Sequence, residues 1–183
     1  GVPMWDLLPS QREALARGLM GPGRGTVSIQ MPTSSGKTAL CELLIYHEVK
    51  IHRRPVLFLV PFRALAAEIR EGMSQRLSSA GVSVVASHGG NIPSRSGTAG
   101  VEDAGVLITT PEKFAALEQV VDGLSVRFMT IICDEGHLID DQARGLGYEL
   151  LLTKLRNESR EDRRFVFISA ILPNVGEIHE WLG

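Results

Sequence analysis

The segment Met31-Pro32-Thr33-Ser34-Ser35-Gly36-Lys37-Thr38 lies between an apolar, β-branched run and a stretch of helical character beginning Ala39-Leu40-Cys41. Anionic phosphates need converging N–H donors and little side-chain crowding. Gly36 permits close backbone approach, and a helix opening here offers unsatisfied N–H groups and its positive dipole end. Lys37 is suited to neutralise β- and γ-phosphates, and the Thr38 hydroxyl to ligate Mg²⁺. Thr33, Ser34 and Ser35 complete the cradle. The bland alternative is a Gly-Lys-Thr cap on a surface helix, against which the strand-then-helix placement argues.

A second group of reactive side chains follows another apolar run. Phe128-Met129-Thr130-Ile131-Ile132-Cys133 ends in Asp134-Glu135-Gly136-His137. A buried strand that delivers two carboxylates at its C-terminal end places them at the ligand-binding edge of an α/β sheet. Asp134 is suited to the Mg²⁺ shell, and Glu135 to orienting and deprotonating an attacking water. An acidic strand end taken alone is usually only a solvated helix start. Paired with Lys37 and Thr38 in this order, it reads as the second half of an ATP·Mg²⁺ site.

The elements that must position these groups alternate. Strand-like runs fall at 25–31, 55–61, 82–87, 105–109, 128–134 and 164–169, with helical stretches at 36–52, 63–80, 112–121 and 142–158. Runs that are apolar at successive positions, such as Val56-Leu57-Phe58-Leu59-Val60, suit strands covered on both faces. The repetition predicts an α/β fold with a mainly parallel sheet and helices on each side. A short helix is expected before the first strand, with Ser10 and Glu13 as a capping box and an interior from Gln11 to Met20. The Gly- and Ser-rich stretch 89–100, interrupted by Pro93, reads as a surface loop.

The chain has 183 residues, 44% of them hydrophobic, which suits one domain with a real core. Its formal charge of −2 argues against gripping nucleic acid by bulk charge, so such contacts would need local basic groups and backbone amides. Cys41 and Cys133 sit in apolar stretches without a CxxC or Cys/His cluster, which suggests neither a disulfide framework nor a zinc site and fits a reducing interior. No apolar run is long enough to cross a bilayer, and no secretory signal opens the chain. The absence of an initiator Met reads as a processed or excised piece. Arg156, Arg160, Arg163 and Arg164 interleave with Glu158, Glu161 and Asp162 as on a solvated face. His47, His52 and His179 show no ligand spacing.

With these sites in hand, the chain resembles the first RecA-like domain of superfamily 2 helicases, nearest to the superkiller-type DExH group. Leu8-Pro9-Ser10-Gln11 is similar to the adenine-reading Q motif, Pro32 through Thr38 to motif I, and Val60-Pro61-Phe62-Arg63-Ala64-Leu65-Ala66 to motif Ia. Ile108-Thr109-Thr110-Pro111-Glu112-Lys113 is similar to the group's ITTPEK element. Asp134 through His137 resembles motif II, and Ser169-Ala170-Ile171-Leu172-Pro173-Asn174 motif III. Six motifs in collinear order make the resemblance specific over nearly the whole chain.

The resemblance implies a RecA-like three-layer sandwich that uses ATP and Mg²⁺ and is intracellular, cytoplasmic or nuclear. It also implies roles. Gln11 would pair with an adenine edge, and Trp5 would either stack on that base or serve the core. His137 would link the ATP site to Ser169 and, through Ala170, to coupling. Arg63, the backbone near Ala64, Gly89, Thr110 and Lys113 would face the sugar-phosphate chain of DNA or RNA, with little base specificity. An ordinary Pro-started helix with a good cap at Thr110 would look identical locally.

Met31 replaces the usual first Gly of the Walker pattern, where the residue mainly closes the turn. Ile171 replaces the usual Thr of motif III and removes a hydroxyl. Family helicases need a second RecA-like domain with an arginine finger, whose loss typically costs on the order of 10³–10⁵-fold in phosphoryl transfer. Residues 1–183 are expected to be the first of two such domains and to bind nucleotide weakly without fast hydrolysis or unwinding. Two other functions fit the pattern less well: a nucleic-acid clamp with a vestigial ATPase, and a double-strand DNA translocase.

Overall fold

The computed structural model describes residues 7–21, 25–32, 35–61, 63–87, 100–136, 145–158, 163–171 and 175–182, with the backbone alone for 63–70. Strands β1 (Gly25–Gln30), β2 (Val56–Leu59), β3 (Val84–Ser87), β4 (Val106–Thr109), β5 (Thr130–Asp134) and β6 (Arg164–Ser169) form one sheet in the order β1-β6-β5-β2-β4-β3. Every pairing in it is parallel. Helices α1 (Pro9–Ala16), α2 (Lys37–Tyr46), α3 (Arg63–Ser79), α4 (Pro111–Glu118), α5 (Leu124–Arg127), α6 (Gly145–Asn157) and α7 (Val175–Leu182) connect and cover it.

The continuous apolar runs are explained by two separate cores. Side chains alternate across a strand, so Val56 and Phe58 of β2, Ile132 of β5 and Val166 and Ile168 of β6 face one side. There they pack with Leu40, Leu44 and Ile45 of α2 and Met73 and Leu77 of α3. Leu57, Leu59, Ile131, Cys133, Phe165 and Phe167 face the other side. They pack with Phe114 and Leu117 of α4, Leu151, Leu152 and Leu155 of α6, and Ile178 and Leu182 of α7. A sheet clad on both faces demands apolar residues at odd and even positions alike.

Several boundaries differ from the sequence reading. Helix α1 starts at Pro9 with Leu8 as its cap, not Ser10, because the Gln11 side chain reaches back to the Leu8 N–H at 2.9 Å. It stops at Ala16 instead of Met20. Gly18 adopts φ +87, and the Leu19 N–H bonds to the Ala14 carbonyl at 3.2 Å, a Schellman closure that seats Leu19 in the core. The helix expected over 36–52 divides into α2 and a π-helical turn, His47–Ile51. Helices α5 and α7 were not anticipated. The loop 89–99 and Trp5 lie outside the described residues.

Both thiols are buried. Burial pushes Cys41 above the ordinary thiol range and Cys133 up to about 12, Tyr148 opposing the rise in Cys133 and Asp134 adding to it. Native chain at pH 8 should therefore resist iodoacetamide, with both cysteines labelled only after denaturation, as counted by intact mass. Phe128 is fully buried and meets Phe114 edge-on at a centroid distance of 6.1 Å. Phe128→Ala should cost about 3–5 kcal/mol in urea unfolding; a loss below about 1 kcal/mol would contradict this packing.

Candidate functional site

Because all six strands are parallel, their C-terminal ends share one edge of the sheet, and the chemistry-bearing segments leave from that edge. β1 runs out through Met31, whose N–H bonds to the Ser169 carbonyl at 3.0 Å, into the phosphate-type loop. Ser35 closes that loop locally: its N–H and hydroxyl both donate to the Pro32 carbonyl, at 3.2 and 2.5 Å. Gly36 caps α2 in the left-handed region at φ +80, and Lys37 and Thr38 occupy the first helical turn. That conformation disfavours any side chain.

Helix α1 braces this turn. The Gln11 amide nitrogen donates to the Gly36 carbonyl at 2.9 Å, while its oxygen holds the Leu8 N–H. Ser10 Oγ reaches the Ser35 carbonyl at 3.5 Å. Gln11 is buried although polar, because both ends of its amide are bonded to backbone. Expected from the resemblance to read an adenine edge, Gln11 in this structure ties α1 to the phosphate loop. One donor and one acceptor position of its amide are engaged there.

β5 delivers the acids. Asp134 is its last residue and is half-buried, and its Oδ1 accepts the Glu135 N–H at 3.1 Å. Glu135 is a non-glycine residue at φ +51, a conformation that costs roughly 1–2 kcal/mol for an L-residue. This turn aims the Glu135 carboxylate at the loop. Lys37 Nζ donates to Glu135 Oε1 at 3.0 Å, with the two side chains 14% and 30% exposed. Residues 98 positions apart thus meet across the sheet edge. A pair this sheltered is screened less than a surface pair, and it holds the amine where a polyanion would have to compete for it.

Ser169 ends β6 between these two segments. Its hydroxyl donates to the Ile171 carbonyl at 2.8 Å and accepts the Ile171 N–H at 3.3 Å, and Ala170 lies between them. Thr110 is nearly buried and caps α4 by accepting the Lys113 N–H at 3.3 Å. Arg63 and Ala64 open α3, which follows β2, the neighbour of β4. Thr33, Ser34, Gly89 and His137 lie outside the described residues. The sequence reading expects Lys37 and Glu135 to converge on one site, and the structure brings them into direct contact; it missed the Gln11–Gly36 brace, although it identified both residues. That brace joins residues 25 positions apart and leaves no local mark in the sequence.

Comparison with known proteins follows the same outline. The sequence profile of the DEAD/DEAH box helicases matches residues 8–178. Hachiman protein HamB of Bacillus cereus is 33% identical over 183 residues, covering 99% of this chain and 16% of its own length. ATP-dependent DNA helicase Hel308 of Methanocaldococcus jannaschii is 32% identical, over 97% of this chain and 15% of its own. The ATP-dependent DNA helicase MER3 homolog of Oryza sativa subsp. japonica is 30% identical, over 84% and 15%. The chain therefore spans less than a fifth of each of these relatives. A solved structure described as a hypothetical ATP-dependent RNA helicase from Sulfolobus tokodaii superposes with a TM-score of 0.74 at 20% identity. It covers 98% of this chain and 50% of its own, a likeness of fold.

An ideal Cβ on Gly36 would collide with the Gln11 amide and come within 3.1 Å of Leu8 Cδ1. Gly36→Ala should therefore lower the melting temperature, by the equivalent of at least about 1 kcal/mol, and weaken binding of a fluorescent ATP analogue severalfold. A variant matching the parent in both measurements would show that the brace does not form in solution.

Proposed function

The chain belongs to the DEAD/DEAH box helicase family, and from that membership we propose that it is the first RecA-like motor domain of an ATP-dependent helicase or translocase acting on DNA or RNA. ATP use follows from the family. The observation that carries the reading is the 3.0 Å contact between Lys37 of the phosphate loop and Glu135 of the acidic turn. It brings an amine and a carboxylate side by side, which supports reading Lys37 as the cation for phosphate and Glu135 as the base for water.

In this reading the triphosphate takes the Lys37 amine from Glu135, and the helix N–H groups beyond Gly36 receive phosphate oxygens. Glu135, released from its cation, then orients and deprotonates the attacking water. The Asp134 carboxylate and Thr38 hydroxyl are hard oxygen donors of the kind Mg²⁺ takes, and the ion bound there would neutralise phosphate charge. Turnover is proposed to require a second RecA-like domain. The 50% coverage of the Sulfolobus tokodaii chain and the small share of each curated relative support that division. His137 is proposed to relay between this site and Ser169.

Nucleic acid is proposed to run along the neighbouring part of the same edge. β2, β4 and β3 are adjacent there, and α3 and α4 follow β2 and β4 from that edge. Backbone amides near Ala64 and those freed by the Thr110 cap suit phosphates, with Arg63, Lys113 and the segment at Gly89 adding contacts. Such contacts carry little sequence preference.

Lys37→Ala should weaken nucleotide binding to this chain at least tenfold, and undiminished affinity would reject the loop assignment. Glu135→Gln removes the competitor for Lys37. Nucleotide should then bind as well as in the parent or up to about fivefold tighter, given about 1 kcal/mol for a partly exposed pair. In the whole protein the same variant should abolish nucleic-acid-stimulated ATP turnover. Retained turnover would exclude Glu135 as the base, and a parent protein that binds but never hydrolyses ATP would favour the clamp reading.

A further inference from the structure

At the opposite edge of the sheet, α2 runs into the π-helical turn His47–Ile51, closed by the His52 N–H bonding to the His47 carbonyl at 3.2 Å. In an α-helix, positions five apart point about 140° away from each other. Widening the turn to i→i+5 hydrogen bonding stacks them on one side. The His47 and His52 rings accordingly meet edge-on, 4.7 Å between centroids. Glu48, fully buried, lies with them: one donor atom from each of the three residues falls within 4.8 Å of the other two.

Two of these groups are chemically unfinished. His47 Nδ1 and His52 Nε2 are shut off from solvent and have no hydrogen-bond partner among the described residues. A shielded ring nitrogen without a partner loses its hydration for nothing in return. We propose that one ring nitrogen each of His47 and His52, together with a Glu48 carboxylate oxygen, forms a binding site for a divalent transition ion of the zinc class.

The donor set fits that class. Two neutral imidazoles and one carboxylate are zinc ligands, and with three protein donors the fourth position falls to water. Zinc bonds of about 2.0–2.1 Å separate tetrahedral ligand atoms by about 3.3 Å, so the trio must draw in by at most roughly 1.5 Å, within reach of imidazole rotation. The outer contacts of a metal site are already in place. Thr130 Oγ1 donates to Glu48 Oε2 at 3.0 Å, and Arg164 donates to Oε1 at 3.3 Å, fixing the carboxylate. Arg164 also donates to the Leu19 carbonyl at 2.7 Å, so it keeps an anchor if Glu48 turns toward an ion. The Arg164 charge opposes the ion, which points to a moderate affinity. The site is independent of the nucleotide reading, since it lies at the start of β5 and β6 and not at their ends.

Metal-stripped chain titrated with Zn²⁺ against a chromogenic chelator should bind one ion per chain. Co²⁺ should give the visible d–d bands of a low-coordinate site, and saturating Zn²⁺ should raise the melting temperature by several degrees. His47→Ala and His52→Ala should each weaken binding at least tenfold and abolish the melting shift, whereas His179→Ala should leave both intact. If His47→Ala fails to fold by circular dichroism, His52→Asn decides. Absence of stoichiometric binding, or binding that survives both His47 and His52 substitutions, would overturn the site.

Discussion

The nucleotide reading depends on one spatial constraint: the strand that precedes the phosphate loop and the strand that ends in the acids must stop at the same edge, a fixed distance apart. β6 lies between β1 and β5, in parallel register with both. Two inter-strand steps of about 4.8 Å separate the ends of β1 and β5. A lysine on the first turn of the following helix spans that gap, and a shorter side chain does not. Inserting one more strand, or reversing either one, would leave Lys37 and Glu135 on separate surfaces. The 3.0 Å contact is therefore a consequence of strand order.

The same order groups the candidate residues along the edge. Gly36, Lys37, Ser169, Asp134 and Glu135 lie at or just beyond the ends of β1, β6 and β5, whereas α3, opening at Arg63, follows β2, and Thr110, the cap of α4, follows β4. β5 and β2 are neighbours, so the two sets abut along one continuous sheet. Chemistry in one set and a polyanion on the other would be separated by packed apolar side chains with few alternative arrangements. Ser169, bonded into the Ile171 backbone at the end of β6, sits on the nucleotide side of that boundary.

Much of this was legible because burial leaves a clear mark on strands. Val56 to Leu59 must be apolar at every position, since each meets one of two cores. Gly36-Lys37-Thr38 and Asp134-Glu135 were legible as candidates because each directly follows an apolar strand-like run, in this order along the chain. What escaped was set by contacts distant in sequence. The Gln11 cap on Leu8 replaced the expected Ser10 cap because Gly36, 25 residues on, holds the other end of the amide. The π turn carries no local signal at all. It forms where Glu48 is drawn inward to Thr130 and Arg164, 82 and 116 residues away, and a helical pattern read at 3.6 residues per turn cannot register that pull. The same blindness made His47 and His52 look unrelated. Arg164, assigned to a solvated face, is instead buried for the same reason.

That inward pull returns to the nucleotide site through α2. Lys37 stands on its first turn, and Glu48 lies just past its last. Glu48 is bonded to the first residues of β5 and β6, the strands whose far ends hold Asp134 and Ser169. Burying the Glu48–Arg164 pair costs desolvation that its attraction barely offsets, so such a pair is poor evidence of extra stability. Its geometric consequence is firmer. Packed apolar side chains already restrict where α2 can lie, and polar bonds to two strands narrow that range further. With its C-terminal end fixed to the bases of β5 and β6 and its N-terminal end braced by Gln11, α2 presents Lys37 to Glu135 at a set height. The buried ion pair and the π turn beside it are thus parts of the scaffold that aims the phosphate loop.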